Sequence, residues 1–249
     1  RSTFVTTYSR SASALGLALR AEPPHVGAMR FTTVSKILPI LLACLAAPGV
    51  HAQPRSAEAA FRSINDQARA AFGTGNYVEA LRLSTEARAV AERRLGRTHR
   101  LTFQTMNDIA VIHYLQGDYA TALPLALEAS AGLERVAGPN DVETLNALAN
   151  LGQLFVQLRQ HEDAEPLLRR VYAARERTLG LDHRQTLESL LELAIFLNRL
   201  SRLPELAPDL ERGLAAARAK FGDDSNQARD LGDALAAARR GASQQSAGS

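Results

Sequence analysis

Leu179-Gly180-Leu181-Asp182-His183-Arg184-Gln185-Thr186-Leu187 ends one helix and begins the next. Leu179 closes an amphipathic run, Gly180 can take the positive φ that stops a helix, and Asp182 can cap the amides that follow. The same punctuation recurs at Gly96, Gly138 and Gly222, each 42 residues from its neighbour, with Thr98, Asn140 and Asp224 two residues behind. Asn140…Glu143, Asp182…Gln185 and Asp224…Gln227 also have capping-box spacing. A period of this length across residues 58–240 predicts a helical solenoid, in which each unit buries its apolar faces against its neighbours.

Between the glycines the apolar spacing predicts two helices per unit. Helix A spans Glu58–Phe72, Leu101–Gln116, Val142–Leu158 and Gln185–Leu200, and helix B spans Tyr77–Leu95, Tyr119–Ala137, Glu162–Leu179 and Leu203–Phe221. The units are 58–97, 98–139, 140–181 and 182–223, followed by a capping helix, Gln227–Arg240, within residues 224–240. Small residues mark where A must approach B: Ala68 with Ala80, Ala110 with Ala122, and Gly152 with Ala164, while Ala194 with Leu206 departs on one side. Gly75, Gly117, Arg159 and Ser201 occupy the turn, and Pro124, Pro166 and Pro208 recur in helix B, where each removes a hydrogen bond. The tail 241–249 is Gly, Ala, Ser and Gln, a composition expected to be disordered.

These residues carry a resemblance. Leu179-Gly180-Leu181-Asp182-His183 followed by Thr186-Leu187, together with Leu145-Asn146-Ala147-Leu148-Ala149, Gly117-Asp118-Tyr119 and Ala164-Glu165-Pro166-Leu167-Leu168, resembles the 42-residue tetratricopeptide repeat of the kinesin-light-chain type, here in a bacterial, exported setting. The resemblance implies an all-α, right-handed α-solenoid of four helix-turn-helix repeats plus the C-terminal capping helix. It departs from the family at Arg184, where a proline is usual, and in the first and fourth copies.

The segment before the array has its own pattern. Met29 to Lys36 is basic, Ile37 to Ala47 is apolar, Pro48 breaks it, and Val50-His51-Ala52 is a small-residue cleavage motif before Gln53. Residues 29–52 therefore read as a signal peptide cut between Ala52 and Gln53, with 1–28 upstream of the true start. The expected location is periplasmic or secreted. Alternatives stay open: a lipoprotein anchored at Cys44, a transit peptide, or a buried N-terminal helix. The run is too short and interrupted to span a bilayer. Of the net charge of +3, residues 1–52 hold +4, from Arg1, Arg10, Arg20, Arg30 and Lys36 against Glu22, leaving −1 for the rest. The basic pI thus gives no support to nucleic-acid binding. Cys44 is the only cysteine, so the processed chain would have no disulfide.

No catalytic constellation is present. His99 and His183 sit at equivalent junctions, His113 lies on a helix and His161 at a helix start, none with metal-ligand spacing. Gly73-Thr74-Gly75 is a helix-to-helix turn rather than a phosphate loop, and neither GxSxG nor HExxH occurs. No cofactor or metal is expected, and the chain reads as a non-enzyme. What remains is the inner wall that helix A presents in such arrays. The resemblance places Arg62, Asn65 and Arg69 there in copy one, Gln104, Asn107 and Tyr114 in copy two, Asn146, Ala149 and Gln153 in copy three, and Glu188, Leu191 and Asn198 in copy four. Amides that both donate and accept suit the backbone of an extended peptide. The cations of a carboxylate clamp are absent, since Asn65 and Ala149 hold those positions. The expected role is a scaffold or adaptor for a protein or peptide partner. The alternative is the interaction region of a larger enzyme, such as a caspase-like peptidase.

Overall fold

The computed structural model describes residues 54–247, and the expected signal peptide, 29–52, lies outside them together with residues 1–28. The described residues form α1 (Pro54–Gly73), α2 (Tyr77–Arg94), α3 (Arg100–Leu115), α4 (Tyr119–Ala137), α5 (Val142–Gln157), α6 (His161–Leu179), α7 (Arg184–Arg199), a 3-10 turn (Leu203–Leu206), α8 (Ala207–Phe221) and α9 (Asn226–Ala247). They are four A/B pairs stacked in chain order and closed by α9, an all-α solenoid.

The unit boundary is built as its glycine dictates. Gly138, Gly180 and Gly222 have φ of 97°, 89° and 88° with ψ near 160°, a region essentially reserved for glycine. The N-caps, however, fall one residue later than the sequence predicts. His99 Nδ1 accepts from Leu101 N, Asp141 Oδ1 from Glu143 N and His183 Nδ1 from Gln185 N, while Ser225 Oγ accepts from Ala228 N. The cause is a turn. The amide three residues after each glycine donates to that glycine's carbonyl, as in Asp141 N to Gly138 O (3.4 Å) and His183 N to Gly180 O (3.3 Å), so one more residue is used before the helix begins. Asn140 and Asp182, expected as caps, are released to bind across their own units, accepting from Arg177 and Lys220.

The residues expected at the A/B crossings lie in the interior. Ala68, Ala80, Ala110, Ala122, Gly152, Ala164, Ala194 and Leu206 are all buried. At the A-to-B turn, Gly75 and Gly117 have φ of 78° and 79°, and Arg159 and Ser201 hold the same left-handed conformation at 58° and 57°. α4 and α6 continue through Pro124 and Pro166. In the fourth unit the single helix expected over Leu203–Phe221 is instead a 3-10 turn followed by α8. That unit alone has two prolines in this stretch, Pro204 and Pro208, and the second removes the amide that would have bonded back to the first. α1 begins at Pro54, before the expected Glu58. α9 runs through Ala247 rather than stopping at Arg240, so residues 241–247 are helical and not the disordered tail their composition suggests.

The two helix rows are joined differently. A helices touch one another across units, α3 with α5 and α7 with α9. B helices reach one another through long charged side chains, Glu134 with Arg170 (2.6 Å), Glu176 with Arg212, and Arg169 with Glu205 (3.3 Å). The closer packing of A puts that row on the inside of the curve. The first junction is apolar, with Phe61, Ala87 and Ala91 packed with Ile64, Val90, Leu95 and Leu101. The positions matching Glu134 and Arg170 are there Glu92 and Glu128, two acids.

Candidate partner-binding wall

The wall is the inner face of α1, α3, α5, α7 and α9. Its side chains recur every 42 residues because each helix A enters its unit in the same rotation. Arg62, Gln104, Asn146, Glu188 and Asp230 form one row, and Arg69, Val111, Gln153, Ile195 and Ala237 another. Between them runs a third: Asp66, Asp108, Asn150, Glu192 and Ala234.

The residues expected on this wall divide into two groups. Arg62 and Arg69 are exposed, and Asn65 and Gln104 half-buried. Arg62 pairs locally with Glu58 at 2.9 Å. Most of the others are engaged within the fold. Asn107 is 9% exposed, and its Oδ1 accepts from Asn150 Nδ2 at 3.2 Å. Tyr114 Oη accepts from Gln157 Nε2 at 3.1 Å, and Asn146 Oδ1 accepts from Arg175 Nη2 at 2.8 Å. Gln153 is half-buried beside Glu192, whose pKa it helps to lower. Ala149 is fully buried, in a cluster with Leu145, Leu148, Val171 and Ala174. In the fourth copy Glu188 accepts from Arg184, Leu191 is half-buried and Asn198 exposed. Asn107 and Asn146 are thus both tied down at inter-helix contacts.

Behind the wall lies a buried polar network that sequence reasoning missed. Arg175, on α6, is 1% exposed. Its guanidinium donates to Asn146 Oδ1, to Ser189 Oγ (3.0 Å) and to the Gln185 carbonyl (3.2 Å), joining both helices of the third unit to helix A of the fourth. Burial pulls its pKa down, against the nearby Glu192 and Glu188. Glu192, 8% exposed, is pushed up to about 7 by burial, with Arg175 opposing, Glu188 adding and Gln153 opposing. Burial likewise pushes Asp108 up to about 6, with Arg69 opposing and Glu143 adding. Among the described residues, two buried acceptors in this central row, Asn150 Oδ1 and Glu192 Oε2, have no hydrogen-bond partner. The signal was available by column: Ala91, Leu133 and Ala217 occupy the repeat position of Arg175.

This arrangement can receive hydrogen-bond donors along the wall, but it assembles no nucleophile, base and orienter. Among the described residues no group of three or more His, Cys, Asp or Glu could hold a metal. No described helix is long and apolar enough to cross a membrane.

Comparison with known proteins agrees with this geometry. A family model for the tetratricopeptide repeat matches residues 59–135 and 110–177. No curated protein matches the chain. Among solved structures, one described as having "kinesin light chain nearly identical TPR-like repeats", from Podosopora anserina, superposes with a TM-score of 0.66 at 21% identity, covering 78% of this chain and 90% of its own. BtubC (BKLC) from P. vanneervenii superposes with a TM-score of 0.67 at 18% identity, covering 77% and 76%. Residues 59–177 match the tetratricopeptide repeat family, and the chain shares the fold of kinesin-light-chain-like repeat proteins.

Proposed function

We propose that the chain is a non-catalytic scaffold that holds an extended segment of a partner protein along the helix-A wall. The observation that carries this is the continuous inner wall, where polar side chains recur at one register and some remain open. Arg69 is exposed and Asn65 and Gln104 are half-buried, and among the described residues none of the three makes a side-chain hydrogen bond, although Arg69 acts electrostatically on Asp108. Because Asn107 and Asn146 are engaged internally, the accessible three are the ones to test. Each hydrogen bond to a bound segment contributes roughly 0.5–1.5 kcal/mol, and exposed truncations ordinarily change stability by less than about 0.5 kcal/mol. Peptides selected on the full chain from a displayed random library are expected to bind the Asn65→Ala/Arg69→Ala/Gln104→Ala variant at least about tenfold more weakly, with melting unchanged. Tenfold requires only about 1.4 kcal/mol. Equal binding to parent and variant would remove the wall from consideration.

We also propose export, supported by the n-, h- and c-region pattern from Met29 to Ala52. Mass spectrometry of the native protein is expected to find Gln53 at the N-terminus. A lipidated Cys44 would favour the anchored form instead, and an intact leader in a cytosolic fraction would dismiss both.

A further inference from the structure

The wall changes character at its last step. Where earlier A helices carry Asp108, Asn150 and Glu192, α9 carries Ala234, and where they carry Val111, Gln153 and Ile195, it carries Ala237. Two alanines in place of larger side chains leave a trough between α7 and α9. One cavity of 320 Å³ is floored by Leu191, Ala194, Leu203, Ala234 and Ala237. A second of 430 Å³ adjoins it through Asn198, Leu203 and Ala237. Ile195 stands at the edge and is 57% exposed, although the α7 side chains around it, such as Leu193, Phe196 and Leu197, are buried.

The rim is acidic. Asp230 and Asp233, three residues apart on α9, share a helix face and line the 320 Å³ cavity. Both are exposed, and among the described residues neither forms an ion pair, although Arg239 on the same helix pairs with Glu211 at 2.7 Å. An apolar floor beneath two unpaired carboxylates favours a side chain that buries hydrocarbon beside one that carries positive charge. Burying an aliphatic side chain contributes on the scale of its removed apolar surface, and the carboxylates steer and orient the cation.

We propose that this trough receives a partner segment in which an aliphatic residue is flanked by lysine or arginine, making the C-terminal end of the wall selective for basic-aliphatic sequences. The inference rests on the wall reading above and adds the chemistry of the partner. A fluorescent eight-residue peptide of alternating leucine and arginine is expected to bind the full chain. Two control peptides, with glutamate for arginine or alanine for leucine, are expected to bind at least tenfold more weakly. Asp230→Asn/Asp233→Asn should weaken binding of the leucine–arginine peptide at least tenfold and flatten its salt dependence. Ala234→Gln, which restores a side chain of the size found in earlier units, should weaken it comparably without lowering the melting temperature. Equal binding of the glutamate peptide, or indifference to both sets of substitutions, overturns the proposal. Self-association in sedimentation that is lost in these same variants also overturns it, by assigning the trough to a second copy of the chain. If library-selected peptides depend on Asn65, Arg69 and Gln104 but ignore the α9 substitutions, the wall reading stands and this one falls. If they ignore both groups, both fall.

Discussion

Gly132→Ala is expected to cost the folded chain about 2 kcal/mol or more, although alanine is the better helix former by roughly 1 kcal/mol. Gly132 lies within α4, and a Cβ there would overlap Cδ1, Cε1 and Cζ of Phe103. The ring has nowhere to go. It is 3% exposed and packed among Met106, Ala129, Leu133 and Ala147, with the Arg135 guanidinium 5.7 Å from its centroid. Overpacking a core of this kind costs about 1–3 kcal/mol and occasionally more. Gly232→Ala in α9 is the control. Its Cβ would meet only Leu214 Cδ1, at 4.0 Å, so the propensity gain of up to about 1 kcal/mol should appear undiminished. Urea unfolding of the two variants should move in opposite directions. A stabilised Gly132→Ala would mean that the Phe103 ring can be displaced at little cost.

Glu192→Gln should stabilise the protein at pH 8 by on the order of 3 kcal/mol and leave it unchanged near pH 4. The folded chain holds the Glu192 proton up to about pH 7, whereas an ordinary glutamate releases it near 4.5. Between those values the folded state binds more protons than the unfolded one, so stability falls as pH rises. The stabilisation is complete below about pH 4.5 and is lost through pH 7. A shift of this size, at about 1.4 kcal/mol per pKa unit, gives the expected magnitude. Glutamine keeps the shape without the charge. Asp108, raised to about 6, contributes in the same direction, so the variant should retain a weaker slope that ends near pH 6. Thermal melts of parent and variant from pH 4 to 8 decide the matter. Parallel curves across the range would show that Glu192 is not the group responsible.

The sequence made the array legible because its strongest signals are local. A glycine that must take φ near +90° marks a boundary whatever surrounds it, and α2 to α7 begin and end within about a residue of where periodicity puts them. The misplacements are those that depend on contacts across units. Thr98, Asn140, Asp182 and Asp224 have the right chemistry for caps, but the turn bond back to each glycine hands the position to the next residue. Arg159 held a turn position that favours glycine, and the register of the repeat identified it where residue preference alone would not. Helix α9 outlasts its composition because Gly241 lies against Pro204 of the 3-10 turn, giving the helix end a surface to pack on.

The candidate wall was half legible. One helix shows which face is polar, and Arg62, Asn65, Arg69 and Gln104 lie at exposed or half-buried positions. Whether a polar residue faces the groove or the adjoining helix depends on the rotation between units, which no single helix encodes. Asn107 and Asn146 look alike in sequence, yet the first is held by Asn150 on the next A helix and the second by Arg175 on the B helix of its own unit.

The two rows of cross-unit bonds have different spacings. Outer partners lie 36 or 37 residues apart, as in Glu176 with Arg212 and Glu165 with Arg202, and inner partners lie 43 apart, as in Asn107 with Asn150 and Tyr114 with Gln157. Both hold only while every unit keeps the same length. One residue inserted into a helix turns everything after it by about 100°, and inner and outer rows lose their partners together. Such a chain can lengthen or shorten by duplication or loss of a complete unit far more readily than by drift of its individual helices. Its ancestry should therefore be written in whole multiples of the repeat, with gradual change confined to the side chains that each unit displays.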